Sequence, residues 1–225
     1  MSARASRERR KLPPGRHGIP ADEVASDQRA RILAAVTASV GESGYAKSTV
    51  EDFLGRAGVS RKTFYQHFAN KEAAFLATYD DLAERVVAAA QKAYASQPDF
   101  VASAREALAG ALRELAADPH AAALGIVEVF AAGPAALERR SEIIGRLTEL
   151  ITEQTEDLPN TAPGPNFTAE TVIGAVLEVL YNRVRRGEAA RLPELLPDLL
   201  YCVLAPFVGH ERAAEERAAA LAADT

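Results

Sequence analysis

Apolar residues recur along this chain with helical spacing almost from end to end. From Ser26 the stripe Ile32, Leu33, Val36 and Val40 forms one helical face, which Gly41 and Gly44 are expected to end. Ser48, Thr49, Val50 and Glu51 then read as a capping box, the Ser48 hydroxyl accepting an orphan backbone N–H and Glu51 reaching back. Val50, Phe53, Leu54 and Ala57 follow at i, i+3, i+4 and i+7, which predicts a second, two-turn helix. Gly58, Val59 and Ser60 interrupt it: Gly58 allows a left-handed turn, Val59 plugs the core and Ser60 caps the next helix. That helix, 61–68, sets Phe64 and Phe68 one turn apart. Asn70 caps a much longer one whose stripe is Phe75, Tyr79, Leu82, Val86 and Ala90, stopped at Pro98.

Beyond it the periodicity predicts helices at roughly 99–117, 120–132, 134–157, 168–187 and 194–208, with the one long loop ahead of Pro165. The tail from Glu211 is Ala, Glu and Arg without an apolar stripe and is expected to fray. Before residue 22, Arg4, Arg7, Arg9, Arg10, Lys11 and Arg16 crowd among prolines and glycines, a flexible basic arm.

Composition sharpens this to an all-α chain. Alanine supplies 47 of the 225 residues and aromatics only 6%, a balance that favours helix over strand. The lone cysteine, Cys202, makes neither an intrachain disulfide nor a thiolate metal site. The longest apolar run, 121–133, is too short for a bilayer and contains Glu128, and no apolar segment follows the basic N-terminus as a secretory signal would require. A soluble, cytoplasmic protein with no membrane partner is expected.

Charge points to a partner. Residues 1–75 carry 13 Lys/Arg against 8 Asp/Glu, a net +5, whereas 76–225 carry 13 against 23, a net −10. A basic end on an acidic body suits nucleic acid, whose phosphates supply most non-specific affinity.

Two short helices joined by a glycine-containing turn form a helix-turn-helix pattern. The words around it are Thr49-Val50-Glu51-Asp52-Phe53, Ala57-Gly58-Val59-Ser60, Thr63-Phe64-Tyr65-Gln66-His67-Phe68 and Asn70-Lys71-Glu72. This run, within residues 27–80, resembles the DNA-binding domain of the TetR family of bacterial transcriptional regulators. The resemblance implies an N-terminal three-helix DNA-binding domain (22–70) after the arm (1–21). A long helix would join it to an effector-binding and dimerisation domain (71–210), with a C-terminal tail (211–225).

The same resemblance implies roles. The third helix would enter the major groove, with Ser60 at its cap and Arg61 and Lys62 at its start facing base edges, where Arg can address guanine in bidentate fashion. Thr63, Tyr65 and His67 would reach phosphates, and Gln66 a base edge or water. Thr49 and Lys71, opening the second and fourth helices, match phosphate-clamping positions. The arm, Arg16 included, either lies along DNA or is a solvated tail. The implied partners are a palindromic operator in double-stranded DNA, a small-molecule effector and a second copy of the chain.

The body says less. Residues 172–184 are apolar around much of a helix, as are those of the last predicted helix, so both need burial on two sides. Val172, Val176, Leu180, Leu199 and Val203 are therefore candidates for a homodimer interface of four helices. Candidate effector-pocket residues are Tyr79, Phe100, Leu124, Val127 and Phe130, with the carboxylates of Glu128 and Glu178 inside apolar runs. No phosphate loop, zinc motif, Glu-x-x-His pair or nucleophile elbow is present, so no catalytic residue, metal or cofactor is expected. A regulator, most simply a repressor released by its effector, is the leading reading. An architectural DNA-binding protein without an effector comes next, and a helical enzyme last.

Overall fold

The computed structural model describes residues 20–97, 99–158 and 164–223, and the regular structure among them is helical throughout. The basic arm through residue 19, with Arg16, lies outside the described residues. Helix α1 (Ala21–Ser43) begins ahead of the apolar stripe, with Asp22 and Glu23 in its first turn opposing the helix dipole. It runs through Gly41 and ends at Gly44, the expected second glycine, whose N–H bonds to Val40 O. A Cβ at Gly41 would collide with the backbone and Cβ of His120, so this glycine serves close packing rather than termination.

Helices α2 (Val50–Ala57) and α3 (Arg61–His67) follow, then α4 (Lys71–Ser96) and α5 (Phe100–Ala117). One buried cluster joins Ile32, Val36 and Val40 of α1, Phe53 of α2, Phe64 of α3, and Phe75 and Tyr79 of α4, together with Leu124 and Val129 from farther along the chain. Burying such side chains contributes about 1.5–3 kcal/mol each, so the short helices draw their order from this shared core rather than from their own length.

Where one helix at 120–132 is expected, the chain instead makes a short α6 (Pro119–Ala122), a π-helical turn (Ala123–Val127) and a 3₁₀ turn (Glu128–Phe130). Periodicity cannot register such a change of winding. Gly125 sits in the π turn against Leu82 of α4, where a Cβ would come within 2.6 Å of Leu82 Cδ2. Helices α7 (Pro134–Thr155), α8 (Pro165–Arg185), α9 (Leu196–Val208) and α10 (His210–Ala223) complete the body, with a 3₁₀ segment (Ala189–Leu195) between α8 and α9.

Two expectations are corrected here. The tail is not frayed: α10 packs on α9, burying Ala213 and Glu216, and Glu216 pairs with Arg105 of α5 and, at 2.7 Å, with Arg212. A buried carboxylate between two arginines reads as polar in any hydrophobic pattern, which hides the stripe. Second, Val172, Leu180, Leu199 and Val203 are buried in the chain's own core and Val176 is half-buried. They therefore present no free surface to a second copy. The outward face of α8 carries Phe167, Thr171, Ala175 and Val179 instead.

Candidate nucleic-acid interface and ligand cavity

The turn before α2 is capped one residue later than the sequence suggests. Thr49, not Ser48, is the N-cap: its Oγ1 accepts from Asp52 N at 3.3 Å, while Asp52 Oδ2 accepts from Thr49 N at 2.8 Å and Thr49 Oγ1 at 2.7 Å. These bonds from Thr49 hold the Asp52 carboxyl below its ordinary value. Ser48 is buried and its hydroxyl donates back to Gly44 O at 2.9 Å. Displaced from the cap, Glu51 pairs with Arg61 across the turn.

Gly58 closes α2 in the left-handed region (φ 62°, ψ 39°), and Arg31 of α1 donates to Ala57 O at 2.7 Å, fixing that end. Ser60 caps α3 by accepting from Thr63 N at 3.0 Å, and its hydroxyl also meets Thr63 Oγ1 at 2.9 Å. The hydroxyls of Thr49, Ser60 and Thr63 are thus engaged within the motif.

Helix α3 is two-faced. Phe64 is fully buried, with Phe68 beside it at 5.8 Å between ring centroids, whereas Arg61, Lys62, Tyr65 and Gln66 are exposed. Tyr65, 48% exposed, stands edge-on to Phe64, and His67 is half-buried with Nε2 3.4 Å from Gln28 Oε1. The Arg61–Glu51 pair is exposed on both sides, so exchanging Glu51 for another anion costs little. Lys71 stands apart from this surface. Its Nζ donates to Tyr45 O at 2.9 Å and Ser48 O at 3.1 Å and lies 4.0 Å from the Tyr45 ring centre, tying down the loop before α2.

In the body, a cavity of 360 Å³ lies between α4, α5, α7 and α8. Of the sequence candidates it takes in Tyr79, Phe130 and Glu178, but not Phe100, Leu124, Val127 or Glu128. Phe100 packs edge-on against Phe207 at 5.1 Å, Leu124 belongs to the core shared with α1, and Val127 packs beside the cluster around Leu112 and Leu180. Glu128 turns away to accept the Tyr45 N–H at 2.7 Å.

The cavity wall is mainly alanine, leucine and isoleucine, with Tyr94 and Arg140 as polar members that the sequence reading missed. Tyr94 lies one turn beyond the end of the Tyr79–Ala90 stripe, a signal that was available. Arg140, on a helix rich in charge, gave none. Burial pushes the Tyr79 hydroxyl up to about 12 against the opposing charge of Arg140. A second, more polar depression of 550 Å³ between α1, α4 and α6 holds Arg85, paired with Asp81 and Glu114, Asp118, which caps α6, and Arg29, whose guanidinium lies 5.8 Å from the Phe68 ring centre.

Residues 32–78 match the model of the bacterial regulatory proteins of the tetR family. Over 72 residues the chain is 36% identical to the HTH-type transcriptional regulator EthR of Mycolicibacterium smegmatis, a match covering 32% of this chain and only 33% of that protein. Two solved structures align over most of the fold. One is the fatty acid degradation regulator FadR of Bacillus halodurans, with a TM-score of 0.70 and 21% identity over 78% of this chain and 97% of that one. The other is FadR of Bacillus subtilis in complex with stearoyl-CoA, with a TM-score of 0.70 and 18% identity over 79% and 98%. Among the described residues no helix is by itself long and apolar enough to cross a membrane.

Proposed function

We propose that the chain, whose residues 32–78 match the tetR family of bacterial regulatory proteins, is a ligand-responsive transcriptional repressor of that family. In this reading residues 22–70 bind a palindromic DNA operator, residues 71–210 hold a small effector and pair two copies of the chain, and effector entry releases the DNA. The observation that carries it is the two-faced α3, anchored by Phe64 while Arg61, Lys62, Tyr65 and Gln66 are exposed together. Arg61, Lys62 and Gln66 read base edges, Tyr65 and His67 meet phosphate with Thr63 beside them, and the starts of α2 and α3, capped by Thr49 and Ser60, face the DNA backbone. Arg16 in the basic arm adds a further phosphate or minor-groove contact. Lys71 contributes by positioning the loop, not by touching DNA.

The cavity in the body supports the effector half of the reading, as does the ligand bound by the Bacillus subtilis relative. Phe167 and Val179, exposed on α8, support pairing of two copies there. Fluorescence anisotropy with the intergenic DNA flanking the gene tests the reading. Saturable, salt-sensitive binding by a dimer is expected, since each neutralised phosphate steepens the salt dependence. A monomer that ignores every flanking fragment overturns it.

A further inference from the structure

The cavity restricts its own ligand, in an inference that rests on the effector-binding reading above. Its lining runs over residues 104–115 of α5 and 140–151 of α7, each stretch about 16 Å long at 1.5 Å per residue. Over that length the 360 Å³ cavity is elongated, longer than it is wide. Between Tyr79 and Tyr94, four turns apart on α4, the wall is apolar: Leu82, Val86, Leu108, Leu112, Ile144 and Leu147.

Charge is concentrated at one end, while the other carries the Tyr94 hydroxyl. Arg140 lines the cavity with its guanidinium 5.0 Å from the Phe130 ring centre, and Phe130 meets Tyr181 edge-on at 5.7 Å. Arg140 has no ion pair or hydrogen bond among the described residues, although its neighbour Arg139 pairs with both Asp80 and Glu142. The Tyr79 hydroxyl at the same end likewise has no hydrogen-bond partner among the described residues. Glu178 is also at this end, but it is exposed and accepts from Asn182 Nδ2 at 2.7 Å, so its charge is both solvated and engaged.

An unpaired guanidinium and an unpaired hydroxyl donor at the head of an elongated apolar cavity match one ligand shape. We propose that the effector is a linear monocarboxylate. Its carboxylate accepts hydrogen bonds from Arg140 and from the Tyr79 hydroxyl, and its alkyl chain extends past Leu108 and Leu112 toward Tyr94.

Calorimetric titration of the full chain, each compound kept below its micelle concentration, tests this with decanoate, methyl decanoate, decyltrimethylammonium and 2-naphthylacetate. Decanoate should bind once per chain and at least tenfold tighter than its ester, the scale of a charge-assisted contact. Arg140→Gln should weaken decanoate at least tenfold and erase that preference, with circular dichroism and thermal unfolding matching the native chain to show that the variant is folded. Ala107→Phe, narrowing the cavity, should weaken decanoate and ester alike.

The proposal is overturned if the ester or the cation binds as tightly as the acid, if Arg140→Gln leaves the preference intact, if naphthylacetate outcompetes decanoate, or if none of the four binds. DNA binding measured without ligand keeps the two readings separate. Intact operator binding with no decanoate binding removes this ligand class alone, and lost operator binding removes the regulator reading whatever the cavity holds.

Discussion

The backbone N–H of Tyr45 donates to Glu128 Oε2 at 2.7 Å, joining residues 83 positions apart. Tyr45 belongs to the loop that leads into α2; its carbonyl accepts from Lys71 and its ring stands edge-on to Phe75 at 5.0 Å. Glu128 follows the π turn whose Gly125 and Ile126 line the cavity, and Phe130, two residues on, lines it as well. Beside the shared core, this hydrogen bond links the cavity wall to the loop that leads into α2. A ligand that favours one position of that wall shifts the motif by no more than its differential affinity for the two positions.

Glu128→Ala should therefore act on coupling more than on contact. Losing a part-buried bond to a charged acceptor costs about 1–3 kcal/mol of stability, readable by urea unfolding. The factor by which decanoate weakens operator binding should fall toward one. A variant equally stable and equally responsive would show that the bond transmits nothing.

Arg61 and Lys71 should separate cleanly. Arg61→Ala is expected to change which half-site bases are preferred, by about 1–3 kcal/mol of discrimination at one position. Lys71→Ala should weaken all half-sites alike through the loosened Tyr45–Ser48 loop, leaving the salt slope unchanged. Titrations at several salt concentrations decide it: a slope reduced by about one in Lys71→Ala would make Lys71 a phosphate ligand.

At Gly41 the expected effect is steric. Gly41→Ala removes a poor helix former but drives a methyl into His120, backbone included. Such overpacking typically costs about 1–3 kcal/mol, so thermal unfolding should show a lower Tm. A raised Tm would mean that helix propensity outweighs the contact between α1 and α6.

Asp52 sets an acid limit on the motif. Its carboxyl titrates below the usual range in the folded chain because Thr49 hydrogen-bonds the charged form. The stability it contributes is therefore complete above the unfolded value of about 3.9 and is lost as pH falls through the lower folded value. Asp52→Asn should flatten the acid limb of a stability–pH profile below about pH 4. Superimposable acid limbs would contradict this.

Much of this structure is legible in the residues themselves. Phe53, Phe64, Gly58 and Ser60 announce two helices and their turn because each carries a local requirement: a buried face, a left-handed residue, a cap. The capping register slips by one because Ser48 and Thr49 offer the same hydroxyl, and only the tertiary burial of Ser48 decides between them. Inward and outward faces of α8 and α9 are indistinguishable in sequence when both are apolar, so the burial of Val172, Leu180, Leu199 and Val203 in the chain's own core is not legible there. Glu128 and Lys71 carry charges whose partners, Tyr45 N–H and the Tyr45 and Ser48 carbonyls, are backbone groups with no sequence signature. Arg140 is conspicuous only once the cavity exists.

The most direct test of the α3 surface is selection of bound fragments from random double-stranded DNA, sequencing the products for the native chain and for Arg61→Ala. Enrichment of a two-fold symmetric sequence is expected, its half-sites centred about 34–36 Å apart or a small multiple of it, with the preferred bases altered in the variant. No enrichment by the native chain, or an asymmetric motif identical in both proteins, would contradict the assignment of α3 as the helix that reads DNA.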